Sequence, residues 1–159
     1  MDQLPRRMTD VNLDRLETAL GFLIRLAQLK TYDDFFTALG DSGMRPGEFS
    51  VLFVIMHNPG IRQTALGQRL MIKRAHMTKL IRAFEDRGLV TRRVPDDDRR
   101  AIELTLSAEG VAHVRKESEW FFSHEATLGA GLTTVERDQF IALLHKFLGM
   151  NLGETGREY

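Results

Sequence analysis

Apolar residues recur at helical spacing in the first part of the chain. A spacing of three or four residues places side chains on one side of an α-helix. The stripe consists of Leu13, Leu16, Leu20, Leu23, Ile24 and Ala27, and is widened by Phe22, Leu26 and Leu29. The pattern predicts a first helix from Val11 to about Lys30, followed by a short separate segment that contains Tyr32, Phe35 and Phe36.

A second helix is predicted to begin at Pro46, after a turn over Gly40–Arg45. Proline suits the first position of a helix, because its missing N–H would have no partner there. The tripeptide Asn58-Pro59-Gly60 is typical of a helix end. The residues expected on the buried face are Phe49, Leu52, Phe53 and Met56.

Two short helices separated by a two-residue turn follow. The first is predicted over Gln63–Leu70, the turn is Met71-Ile72, and the second runs from Lys73 to about Arg87. Gly67 leaves room for the second helix to cross the first closely. The residues expected to be buried are Leu66, Leu70, Met77, Leu80, Ile81 and Phe84. This arrangement is typical of a helix-turn-helix.

Basic side chains remain on the solvent side of the second of these helices. They are Lys73, Arg74, His76, Lys79 and Arg82. Such side chains have the length and the N–H donors to reach base edges and phosphates in a DNA major groove about 12 Å wide. We expect Arg74, His76 and Lys79 at or near the bases, whereas Arg82 is left open between a phosphate contact and simple solvent exposure.

A β-hairpin is predicted after Gly88, which can supply the left-handed residue that ends a helix. Its strands are Leu89–Val94 and Ala101–Leu106, and the second strand alternates apolar and polar residues. The loop Pro95–Arg100 between them is predicted to be a wing.

The wing tip Asp98-Arg99-Arg100 carries the chemistry of this hairpin. Arginine at such a tip can enter a narrow minor groove, where the negative potential is enhanced. We expect the Asp98 carboxylate to bond and orient the Arg100 guanidinium, because the two groups match in geometry. For Asp96 and Asp97 the expected role is only to favour a turn and stay solvated, and the same simple role is the alternative for Asp98.

Charge is unevenly distributed along the chain. Residues 61–106 hold eleven Lys or Arg against six Asp or Glu, and the other residues hold eleven against sixteen. The formal net charge of zero therefore hides a basic segment on an acidic remainder. Such a distribution favours one surface that binds phosphates, although surface charges can also cluster by chance.

Two further helices are predicted after the hairpin. The first runs from Ser107 to about Leu128 and is broken by Gly129 and Gly131. Thr133 and Glu136 have the spacing of a capping box at the start of the second. Its apolar stripe is Phe140, Leu143, Leu144, Phe147 and Leu148. Long terminal helices with such stripes would expose much apolar surface on a monomer, so we expect a homodimer; packing within one chain is the alternative.

This series of elements resembles the MarR family of bacterial transcription regulators over nearly the whole chain. The motifs that carry the resemblance are the helix order, Leu66–Leu70, Arg87-Gly88-Leu89-Val90, Asp98-Arg99-Arg100, and Leu104-Thr105-Leu106-Ser107 with Gly110. The resemblance implies two winged helix-turn-helix lobes in a dimer, recognition helices in successive major grooves of double-stranded DNA, and wing arginines in the minor grooves.

Carried over to this chain, the resemblance makes Lys73–Arg87 the recognition helix, Arg100 the wing arginine and Asp98 its partner. Met71 departs from the family pattern because a small turn residue is common there. Lys73 departs because a residue with a capping hydroxyl is common there. A lysine lacks that cap but can donate a hydrogen bond to a DNA phosphate.

The expected fold class is mainly α with a small β-hairpin wing. We expect a single domain over 1–159, with a DNA-binding lobe over 46–106 and a helical dimerisation region over 11–45 and 107–150. The expected function is that of a homodimeric regulator, a repressor, that binds a palindromic operator. The alternative is a winged-helix module that binds protein, which would expose an apolar recognition face.

The resemblance also implies a small effector, often aromatic or phenolic, that binds between the dimer helices and the DNA lobe. The candidate residues are Phe22, Arg25, Leu26, Tyr32, Phe49, Phe53 and Trp120, with Arg25 as a partner for a carboxylate. Aromatic residues at helical spacing are more often plain core, and that interpretation stays open here. The chain has no cysteine, which excludes thiol-based oxidant sensing.

Other classes of protein find little support. The nucleotide-binding and hydrolase motifs are missing, so we expect no enzyme and no cofactor. The five histidines show no ligand-like i, i+4 pair, and no zinc site is expected. No apolar run approaches the ~20 residues of a membrane span, and the first residues lack the apolar core of a secretory signal, so we expect a cytoplasmic protein.

Overall fold

A computed structural model describes residues 11–39 and 45–150. This part of the chain holds six α-helices, three short strands and one 3-10 turn over Asp14–Thr18. In chain order the elements are α1 (Leu20–Leu39), α2 (Pro46–His57), β1 (Ile61–Arg62), α3 (Gln63–Arg69), α4 (Arg74–Asp86), β2 (Val90–Arg93), β3 (Glu103–Leu106), α5 (Ala108–Thr127) and α6 (Thr134–Phe147). The architecture confirms the predicted fold class, mainly α with a small β-hairpin.

The first helix differs from its prediction. The 3-10 turn is separated from α1 by the extended residue Ala19, and α1 then continues to Leu39 instead of ending near Lys30. No Gly or Pro lies between Lys30 and Leu39, and Lys30 pairs with Asp34 one turn later at 3.1 Å. The change in apolar pattern near Tyr32 therefore marks a change of neighbours and not a helix end. The predicted turn over Gly40–Arg45 lies, apart from Arg45, outside the described residues.

The described residues form two compact units, one that ends at His124 and one that begins at Glu125. The hydrophobic core of the first unit joins α2, the helix-turn-helix, the hairpin and the start of α5. Its most deeply buried members are Val51, Ile55, Leu66, Met77, Ile81, Phe84, Leu104 and Val114. On α2, the predicted Phe49 and Leu52 are buried, whereas Phe53 and Met56 are only partly buried and pack against the core.

The three strands form one antiparallel sheet in the order β1-β3-β2. The hairpin strands pair from Val90 with Leu106 to Arg93 with Glu103, so both strands are shorter than predicted. β1 was not predicted, because two residues are too few to show an alternating pattern. It pairs Ile61 with Leu104 and Arg62 with Glu103, and thereby joins the loop side of the hairpin to the segment that enters α3.

The second unit contains α6, whose start is a complete capping box. The Thr133 hydroxyl accepts the Glu136 backbone N–H, and Glu136 Oε2 accepts the Thr133 backbone N–H at 2.8 Å and its hydroxyl at 2.7 Å. These hydrogen bonds, that of the backbone first, lower the pKa of the Glu136 carboxyl. The predicted capping box is confirmed.

Thr133→Ala should lower the free energy of unfolding by about 1 kcal/mol, the usual cost of losing a hydroxyl N-cap. The pKa of the Glu136 carboxyl is lowered in the folded protein, so the ionised carboxylate contributes to the free energy of unfolding. This contribution is complete above the ordinary carboxyl pKa and is lost as the pH falls through the lower pKa of the folded state. Chemical denaturation should therefore show a smaller difference between variant and wild type in acid than at neutral pH. Thr134→Ala, which changes no cap, is the matched control, and an equal loss in it would contradict the capping role.

Candidate nucleic-acid interface

The helix-turn-helix is formed by α3, the turn Leu70–Lys73 and α4. Met71 adopts the left-handed backbone conformation with φ of 54° and leaves 86% of its side chain exposed. A Cβ at Gly67 would lie 3.3 Å from the carbonyl oxygen of Ile72. The backbone that approaches Gly67 closely is therefore that of the turn, and not that of α4 as predicted. The buried Gln63 donates from Nε2 to the Thr78 hydroxyl at 3.2 Å, which joins the first residue of α3 to the second turn of α4.

The outward face of α4 is polar and basic. Met77, Ile81 and Phe84 are buried against the core. Successive helical residues turn by about 100°, so Lys79 and Arg82 lie on the opposite, exposed side. The observed helix agrees with the predicted bounds, Lys73 to about Arg87, within one residue at each end.

Small exposed residues stand beside these cations. Ala75 and Ala83 are exposed on α4 near Lys79 and Arg82, and sequence reasoning did not single them out. An alanine methyl is suited to contact a thymine methyl in the major groove. The signal that identifies them is their position on the helix, since they lie opposite the buried residues of α4.

The N-terminus of α4 has no side-chain cap. Lys73 is the N-cap residue and has an extended backbone, but no side chain caps the helix there. Arg74, the first helical residue, is also exposed. The free backbone N–H groups and the helix dipole favour a negative group at this end, and Lys73 and Arg74 add two positive charges to it.

The wing tip lies beyond the last hairpin pair. Arg99 and Arg100 are exposed there, as predicted. The predicted bond between the Asp98 carboxylate and the Arg100 guanidinium is wrong in its geometry: Oδ1 of Asp98 accepts the backbone N–H of Arg100 at 3.1 Å. Oδ2 accepts from Nη1 of Arg62 at 3.3 Å. Both oxygens are therefore engaged by a local turn and by a neighbouring strand.

Several arginines are already committed to ion pairs. Nε of Arg92 lies 2.7 Å from Oε2 of Glu85, and Nη1 of Arg87 lies 3.6 Å from Oε2 of Glu48. Among the residues that the structure describes, the cations of the predicted interface form no ion pair; these are Lys73, Arg74, Lys79, Arg82, Arg99 and Arg100. One module thus presents six positive charges that remain available to phosphates.

His76 occupies a side position on α4. It lines a cavity of about 320 Å³, and its predicted contact near the bases stays a prediction. The other residues around this cavity are Tyr32, Phe36, Arg45, Pro46, Gly47, Glu48, Ile72 and Leu80. The end of α1, the start of α2 and one side of α4 therefore share a mostly apolar space.

The predicted effector residues do not come together at one place. Of the seven, only Tyr32 lines this cavity. Phe49 stacks on Phe121 at 4.1 Å between ring centroids, and Phe53 packs edge-on against Phe122. Trp120 stacks on His124. The aromatic residues at helical spacing mostly form the core and its border, because α2 and α5 pack against each other there.

The remaining three predicted effector residues lie on the first half of α1. Phe22 is partly buried, and Arg25 and Leu26 are exposed. None of the three lines the cavity at the other end of α1. Phe36, which does line it, was assigned to a connecting segment because α1 was predicted to end too early.

Comparison with known proteins agrees with this geometry. A model of the MarR family matches residues 44–102, which contain the helix-turn-helix, β2 and the wing loop and end just before β3. A protein named as a regulator of the hcr operon in Thauera aromatica is 30% identical over 128 residues, which cover 80% of this chain and 77% of that protein. The chain belongs to the MarR family.

Other transcription regulators match over most of the chain. A transcriptional repressor of Mycobacterium bovis is 25% identical over 130 residues, which cover 82% of this chain and 94% of that protein. The solved structure of the repressor CouR bound to a 23-mer DNA duplex superposes with a TM-score of 0.79 at 29% identity, and covers 87% of this chain and 99% of CouR. This MarR-family protein is a transcription regulator and not an enzyme.

No helix in the described ranges is long and apolar enough to cross a membrane.

Proposed function

We propose that this MarR-family regulator is a homodimeric repressor that binds a palindromic operator and releases it when a small aromatic molecule occupies the cavity beside α4. The observation that carries the proposal is the set of six unpaired cations on the outward face of α4, its N-terminus and the wing tip. In this scheme Lys79, Arg74 and the neighbouring His76 read or approach the bases. Lys73, Arg82 and Arg99 meet phosphates, and Arg100 enters the minor groove.

Exposed apolar faces support the dimer. On α1 the large exposed apolar side chains that do not line the cavity are Leu20, Leu23, Leu26 and Leu29. On α6 they are Val135, Phe140, Ile141, Leu143 and Phe147, and Leu148 follows at its C-cap. So many large apolar side chains exposed on two helices indicate an interface. The proposal therefore keeps a dimerisation region over 11–45 and 107–150 and a DNA-binding lobe over 46–106.

The cavity supports release by an effector. Tyr32 and Phe36 offer aromatic walls, Ile72 and Leu80 offer aliphatic walls, and Arg45 and His76 add polar groups. An apolar space of this size with a few polar groups suits one small aromatic ring. Because α4 forms one wall, a bound molecule and the operator act on the same helix.

Operator binding is tested with the upstream DNA of the gene itself. We expect a sequence-preferring complex whose footprint covers two half-sites about 10 bp apart. Log affinity should fall steeply with log salt, at roughly 0.9 per phosphate neutralised. A flat salt response would contradict the electrostatic account, and binding to a single isolated half-site would contradict the dimer. A protein that binds no DNA at moderate salt would instead be the winged-helix module that binds protein.

Effector binding is tested by thermal shift against aromatic acids, phenols and thioester conjugates, because a ligand of the folded state raises the apparent stability. We expect Phe36→Ala to abolish the shift and to make operator binding insensitive to that ligand. Phe122→Ala is the matched control, since its ring is similarly exposed but does not line the cavity. Equal loss of the shift in both variants would remove the cavity from the proposal.

A further inference from the structure

Arg62 stands at a position that its residue type does not suit. It is the last residue of β1 and the N-cap of α3, and no side chain caps that helix. Asp, Asn, Ser and Thr are favoured at an N-cap, because their oxygen accepts a free backbone N–H. A positive charge there is also opposed by the helix dipole. The capping role therefore gives no reason for an arginine at this position.

The Arg62 side chain is directed instead to the wing. Its Nη1 atom donates to Oδ2 of Asp98 at 3.3 Å, across 36 residues of sequence. The other oxygen of Asp98 accepts the backbone N–H of Arg100, and the Asp98 carbonyl accepts the N–H of Ala101 at 2.9 Å. One carboxylate thus connects the entry to α3 with the backbone that carries the wing arginine.

We propose that Arg62 is a positioning residue, which holds the wing tip in its DNA-binding conformation through Asp98. The inference rests on the proposed function in that the wing must contact DNA. Residues 94–102 extend beyond the last hairpin pair, Arg93 with Glu103. The other ion pair of this loop, Arg93 with Asp96 at 3.9 Å, joins the loop only to the end of β2, three residues earlier. Among the described residues outside the hairpin, Arg62 is the one whose side chain forms an ion pair with the tip.

The size of the effect follows from exposure. The Arg62 and Asp98 side chains are 50% and 39% exposed, so the pair has the strength of a surface salt bridge. Such a pair changes a local equilibrium by at most about fivefold. The free energy of global unfolding should hardly change. The population of the DNA-binding conformation should fall by up to about fivefold in each wing. Two wings on one operator multiply this loss to as much as about twenty-fivefold.

A double-mutant cycle on the full-length protein tests the inference. Operator affinity is measured for wild type, Arg62→Ala, Asp98→Asn and the double variant. We expect either single substitution to weaken binding, and Arg62→Ala to have little further effect once Asp98 is asparagine. Arg62→Lys should restore most of the affinity, because a single N–H contact needs only a positive charge within reach. Additive losses in the cycle, or normal binding by Arg62→Ala, would overturn the proposal.

Two controls separate positioning from a direct phosphate contact. Asp96→Asn removes the same charge two residues away, where the carboxylate is fully exposed, and it should not weaken binding. The salt dependence is measured for Arg62→Ala in the Asp98→Asn background. A slope lower by about 0.9 per lobe there would show that Arg62 itself neutralises a phosphate and would overturn the positioning role. If wild-type protein binds no operator at all, the proposed function fails, whereas normal binding by Arg62→Ala removes only this inference.

Discussion

Arg100→Ala should lower operator affinity by more than about a hundredfold, because each of two wings loses a charge-assisted contact that contributes about 1.5 to 3 kcal/mol. The Arg100 side chain is exposed and forms no ion pair among the described residues. Its removal should therefore leave the free energy of unfolding and the dimer unchanged. Operator affinity at fixed salt, together with sedimentation of the variant, measures both expectations.

Arg115→Ala is the matched control for this variant. It removes the same charge from an exposed position on α5. Arg115 lies outside the proposed DNA-binding lobe, so this control should bind the operator nearly as wild type does. If the two variants bound equally well, Arg100 would have no part in the interface and the wing would have to be removed from the proposed mechanism.

Gly110→Ala should be the most damaging single substitution for stability. Gly110 is buried in the first turn of α5, and an added Cβ would collide with the carbonyl oxygen of Leu89 and lie 3.0 Å from its carbonyl carbon. Both obstacles are backbone atoms. The same carbonyl accepts the N–H of Ser107, so the hairpin and α5 cannot separate without losing that hydrogen bond. We expect a loss of at least about 3 kcal/mol in the free energy of unfolding.

Gly47→Ala provides the comparison. Gly47 lies in the first turn of α2, and a Cβ there meets nothing within 4 Å. The alanine should raise stability by up to about 1 kcal/mol, because it favours the helix more than glycine does. Chemical denaturation of both variants measures the two free energies of unfolding. Similar stabilities for the two would mean that α5 does not approach Leu89 as closely as described.

Local patterns predicted most of the DNA-binding lobe. The α4 helix was predicted correctly, because Met77, Ile81 and Phe84 repeat at the helical period and Gly88 follows them. The capping box at Thr133 was predicted because its hydrogen bonds join residues only three positions apart. Such features depend on the chain within one or two turns, and a single sequence contains that information.

Features that depend on distant residues were missed or misassigned. The strand β1 exists because Ile61 meets Leu104, and the Asp98 carboxylate is engaged because Arg62 lies beside it. No local pattern connects these pairs. The end of α1 is predicted too early because the apolar pattern changes near Tyr32. The structure shows that this change reflects what surrounds the helix, since Phe35 is buried while Phe36 is exposed.

The position of α4 has a practical consequence for adapting this protein as a biosensor. One side of the helix fills the core, one side presents the cations that we propose bind DNA, and His76 and Leu80 line the cavity. In that proposal a change at His76 or Leu80 would alter ligand response and operator affinity together. Tyr32 and Phe36 line the same cavity from α1. Libraries that vary these two aromatic residues should therefore change which molecule is detected while leaving the promoter that responds unchanged.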